Sequence, residues 1–123
     1  MMTAKVGAFL TLMMTSCSLP TEVCTLGGTP AVEVDIQDSV TLEPLAAGAR
    51  VRLEATHYLD TVPAIIDRAQ RRIAIGAGAH GTFDLTIEQT GYRLWRRAGV
   101  VVTTTGRCKR PKTVLLQANL QKL

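Results

Sequence analysis

Two histidines, three serines and three cysteines are the residues of this chain best suited to chemistry, and their spacing limits what they can do. His57 and His80 would bind a metal ion only if strand pairing brought them together. No Cys, Asp or Glu stands beside either at a ligand spacing, so no metal site is expected. Ser16, Ser18 and Ser39 lie outside any G-x-S-x-G elbow, and a nucleophile paired with either histidine has no support. Asp35 and Asp38 are three apart, which puts them on opposite faces of an extended strand and makes them a poor acid/base pair. Gly76-x-Gly78-x-x-Gly81 has no helix after it and reads as a flexible turn rather than a phosphate loop. The chain reads as non-catalytic, with no cofactor.

A second group could bind rather than react. Tyr92, Arg93, Trp95, Arg96 and Arg97 follow Gly91 in the stretch GTFDLTIEQTGYRLWRRAGVVV. An exposed Trp95 between arginines would make a cation–π-supported anchor for a partner, or with Tyr92 a platform for carbohydrate or another small ligand. The alternative is that Trp95 caps the end of a sandwich and Tyr92 packs at a corner.

The three cysteines divide unevenly. Cys17 ends a leader in which Met1 to Lys5 is basic, Val6 to Met14 is apolar but for Thr11, and Thr15-Ser16 is small. That order is the pattern of an export signal, and the apolar run is too short for a permanent span. Met14-Thr15-Ser16-Cys17 resembles the lipobox of bacterial lipoproteins, with Met14 where leucine is usual. The resemblance implies lipidation of Cys17, membrane attachment through the lipid and a place in the bacterial cell envelope. With Ser18 next, it implies the periplasmic side of the outer membrane if the host is Gram-negative. Cys24 and Cys108 then remain as a disulfide pair in an oxidising compartment. Such a loop would contribute about 4.5 kcal/mol by chain entropy.

These residues must be positioned by strands. Phe83, Leu85 and Ile87 alternate with Asp84, Thr86 and Glu88, and Val32, Val34 and Ile36 alternate with Glu33, Asp35 and Gln37. Ala49 to Ala55 and Thr113 to Leu120 repeat the pattern, Leu115 suggesting that the second face of the last strand is partly covered. Val100 to Val102 opens another strand, with Tyr92 and Trp95 on the turn before it. Pro63 to Arg72 fits a proper helix, a one-turn helix or a wide hairpin. With 46% hydrophobic and only 4% aromatic residues, the core must be aliphatic. About seven short strands in one domain indicate an antiparallel β-sandwich.

AVEVDIQDSVTLEPLAAGARVRLEA resembles the opening of a carboxypeptidase-regulatory-like domain, a transthyretin-like (prealbumin-like) Greek-key sandwich. Asp38, Thr41, Pro44 and Leu45 match that family's turn, while Leu42 stands where the family has glycine. Gly81, Phe83, Leu85, Ile87, Gly91 and Tyr92 match its later strand pair, and TVLLQANL its closing strand. The resemblance implies a seven-stranded, mostly non-catalytic folding or interaction module that would dock an envelope protein partner. The family's hydroxyisourate-hydrolysing branch ends in Tyr-Arg-Gly-Ser, whereas this chain ends Leu120-Gln121-Lys122-Leu123, so its chemistry does not carry over.

The expected organisation is a signal peptide over 1–16, a lipidated N-terminus and tether over 17–29, and the sandwich over 30–123. The net charge of +4 falls to +3 once Lys5 is removed (4 minus 1). With no long basic tract, no nucleic-acid partner is expected.

Overall fold

The computed structural model describes residues 28–123, and these form strands and turns without a helix. The signal peptide, Cys17, Cys24 and most of the tether lie outside the described residues. The strands are β1 (Val32–Asp38), β2 (Arg50–Ala55), β3 (Tyr58–Asp60), β4 (Ala64–Ile65), β5 (Arg72–Ile75), β6 (Gly81–Glu88), β7 (Trp95–Val102), β8 (Thr104–Thr105), β9 (Arg110–Pro111) and β10 (Val114–Leu120).

One sheet has the order β10-β1-β5-β4 and the other β3-β2-β6-β7, while β8 and β9 form a small separate hairpin. Alternation explains both layers. Val32, Val34, Ile36, Ile73, Ile75, Ala118 and Leu120 point inward from the first sheet. Val51, Leu53, Phe83, Leu85, Ile87, Val100 and Val102 meet them from the second, closing one aliphatic core. Burying each large side chain contributes about 1.5–3 kcal/mol, so this double layer supplies most of the driving force for folding. The result is a β-sandwich.

Several expectations change. Ten short strands are described where about seven were expected, the additions being β4 and the β8–β9 hairpin. The sandwich is not wholly antiparallel: β1 and β10 pair in parallel over seven residues, from Val32 opposite Val114 to Asp38 opposite Leu120. Pro63 to Arg72 is the wide hairpin, with Ile65 opposite Ile73 and Asp67 Oδ1 accepting the backbone N–H groups of Arg71 and Arg72. Leu115 is 71% exposed, so the outer face of β10 is not covered as expected among the described residues. Thr29, assigned to the tether, already accepts a hydrogen bond from Gly78 N–H.

Candidate interaction surface

Tyr92 does not point into solvent as a ligand platform would. Its hydroxyl donates to Asp38 Oδ2 at 2.7 Å, while the N–H groups of Val40 and Thr41 donate to Oδ1 at 2.8 and 2.9 Å. Asp38 is 2% exposed and ends β1, and Lys122 Nζ lies 3.9 Å from its second oxygen. The backbone donor of Thr41, then the Tyr92 hydroxyl, hold its carboxyl at about 2. That same hydrogen bond is the main influence pushing the Tyr92 phenol above its ordinary range. One carboxylate therefore ties together the turn after β1, the turn after β6 and the C-terminal residues.

Trp95 was expected on the turn, but the turn is shorter and Trp95 opens β7. It lies opposite Ile87, whose side chain is fully buried, and packs half-buried against the core. Its indole is therefore partly covered. Arg96 is bound by Asp84 at 2.9 Å, and Asp84 also accepts Gly99 N–H at 3.2 Å. A β-bulge explains the second contact: the register between Phe83 and Leu85 leaves Ala98 and Gly99 together opposite Asp84. Arg93 and Arg97 remain exposed.

A cleft of about 300 Å³ beside this turn is lined by Arg50, Glu88, Gln89, Thr90, Tyr92 and Leu94, without Trp95. The outer face of the second sheet is charge-balanced, with Arg50 near Glu88 at 3.8 Å and Arg52 near Glu54 at 3.7 Å. Thr86 is buried there between its cross-strand neighbours Arg52 and Arg96. Among the described residues, no buried side-chain nitrogen or oxygen lacks a hydrogen-bond partner.

His57 and His80 are brought to one place, a shallow cleft that also includes Tyr58 and Phe83. Among the described residues no third His, Cys, Asp or Glu joins them in a metal-holding group. Tyr58 meets Phe83 edge to face, with centroids 5.4 Å apart. Ser39 is exposed, and its N–H donates to the Leu120 carbonyl. Cys108 is half-buried in the turn between β8 and β9.

The surface that sequence reasoning missed is the side where β3 and β4 cross from one sheet to the other. Leu59 is 61% exposed and Val62 79%, and Ile65 and Ile66 are exposed as well. Thr61 and Pro63 of the same segment line a cleft of about 270 Å³ with Arg50, Arg52, Thr86 and Glu88. The sequence signal was present in LDTVPAII, but alternation could not be read across two strands of two or three residues.

No protein-family model matches the chain, and no curated protein does. Among solved structures it is similar to a chain of the crystal structure of a type II Cohesin-X-Dockerin complex from Acetivibrio cellulolyticus. The identity is 18% and the TM-score 0.41, over 69% of this chain and 51% of that one. The chain thus spans about half the length of that relative, and a likeness of this size carries no functional argument.

Proposed function

We propose that this protein is a lipid-anchored β-sandwich of the bacterial cell envelope that acts as a non-catalytic protein-interaction module. The observation that carries the interaction role is the apolar side at Leu59, Val62, Ile65 and Ile66. Four large aliphatic side chains within eight residues stay exposed on a domain whose core is already closed, which supports a docking role for this edge. β3 and β4 are the outer strands of their sheets there, so a partner strand can extend either one.

The anchor is supported by the leader and by Met14 to Cys17. Membership of the carboxypeptidase-regulatory-like type is supported by Leu42, which has a φ of +62° at the position where that family's turn carries glycine. A Cys24–Cys108 disulfide is supported by the cysteine count.

The test is site-specific photo-crosslinking from Val62 in intact envelopes. A single reproducible protein adduct, lost in an Ile65→Lys/Ile66→Lys variant that keeps its thermal midpoint, supports the module. No adduct, or an adduct indifferent to the two lysines, contradicts it.

A further inference from the structure

The segments that link the strands at one end of the sandwich carry cations and no acidic residue of their own, Asp60 of β3 reaching that end to accept Gly76 N–H at 2.9 Å. Four described segments form this end: 28–31 entering β1, 55–57 joining β2 to β3, 76–81 joining β5 to β6, and 103–113 joining β7 to β10. The register places them together, since Val32 lies opposite both Ile75 and Val114, and Gly81 lies opposite Val102. None of the four contains Asp or Glu. The 103–113 segment carries Arg107, Lys109, Arg110 and Lys112 on its β8–β9 hairpin, all exposed. At the other end the linking segments taken together mix Glu43 and Asp67 with Arg68, Arg71, Arg93 and Lys122, so a set of links that is cationic without any acidic residue is found at the first end.

This is also the end at which residues 1–27 join the sandwich, through Gly28. Thr113 Oγ1 donates to the Pro30 carbonyl at 2.8 Å, so the entering chain and the base of the hairpin are held side by side. We infer that the hairpin of Arg107, Lys109 and Lys112 is a docking face for an anionic phospholipid surface. The inference rests on the lipid-anchored reading and deepens it by assigning which end of the domain faces the bilayer.

Reach fits this occupant. From Cys17 to Gly28 is 11 positions (28 minus 17), at most about 40 Å when fully extended. With Cys24 bridged to Cys108, only 7 positions (24 minus 17) separate the acylated residue from the hairpin itself. The intervening residues 18–27 carry one carboxylate, Glu22, against the hairpin's cations. A basic side chain held within a Debye length, about 10 Å, of an anionic surface strengthens attachment about fivefold.

The experiment uses the full acylated protein on vesicles of neutral phosphatidylcholine, and on vesicles that also contain phosphatidylglycerol. Flotation reads the anchor, and the rate of trypsin cleavage after Arg107 and Lys109 reads the hairpin. The expected result is flotation with both vesicles, cleavage slowed about tenfold or more on the anionic ones, and recovery of the fast rate in high salt. Lys112→Gln, which keeps both cleavage sites, should lose about fivefold of that protection.

Equal cleavage rates on the two vesicles, with flotation intact, would overturn the hairpin's role while leaving the anchor standing. Flotation with the anionic vesicles alone, with the same protection, would remove the anchor and keep the hairpin. Protection by duplex DNA but not by anionic vesicles would overturn the assignment to lipid.

Discussion

Tyr92 and Asp38, 54 residues apart, are joined by a 2.7 Å hydrogen bond in which the phenol donates to a carboxylate that also gathers two backbone N–H groups. This contact fixes the β6–β7 turn against the β1–β2 turn at the end of the sandwich remote from the N-terminal entry. Its partners give it a structural role, and Tyr92→Phe removes its third donor while leaving the ring. The variant should unfold at a lower urea midpoint with an unchanged m-value. Combined with Asp38→Asn, the two losses should be less than additive, which a double-mutant cycle measures.

The same carboxylate sets an acid limit. Its folded pKa of about 2 lies below the ordinary 3.8, so ionised Asp38 favours the folded state. That contribution is complete above pH 3.8 and is lost as pH falls toward 2. Asp67 and Asp84 are lowered as well, the first mainly by Arg72 N–H and the second mainly by Arg96, and act with the same sign. Urea titrations through this window should show stability falling with acid, less steeply in Asp38→Asn.

Gly76 is fixed by its surroundings. Its φ is +78°, and a Cβ there would stand 2.6 Å from Leu53 Cδ2 and 3.0 Å from Ala31 Cβ. Its N–H donates to Asp60 Oδ2, which ties the end of β3 to the end of β5. Gly76→Ala combines left-handed strain with overpacking and should destabilise by about 2–4 kcal/mol in chemical denaturation.

Leu42 makes the opposite prediction. It holds a left-handed backbone while its side chain is more than half exposed, so little packing is lost on truncation. Leu42→Gly should raise stability by about 0.5–1 kcal/mol, relief of strain outweighing the added chain entropy. A decrease would show that the leucine side chain stabilises the fold in a way its exposure does not reveal.

Strands β1, β2, β6 and β10 were legible because each buries one face against the core, so their alternation survives in the sequence. The short β3 and β4 have too few residues for a period to show, and their places depend on the Asp60–Gly76 contact and the Ile65–Ile73 register. Trp95 read as a turn residue because Gly91 and the arginines dominate its neighbourhood, whereas its pairing with Ile87 is a tertiary fact. Leu42 was visible as a departure from a turn pattern. Asp38 to Tyr92 was not, since neither residue signals the other. The basic hairpin was overlooked for a similar reason: Cys108 and Pro111 interrupt the run, and only the topology gathers it beside other linking segments that hold no acidic residue.

The central claim is anchorage, and the intact mass of protein extracted from membranes tests it directly, with and without reduction and alkylation. The account predicts a chain that begins at acylated Cys17 and takes up two alkyl groups only after reduction, one each at Cys24 and Cys108. An unacylated chain whose cysteines alkylate without reduction would contradict both the anchor and the disulfide.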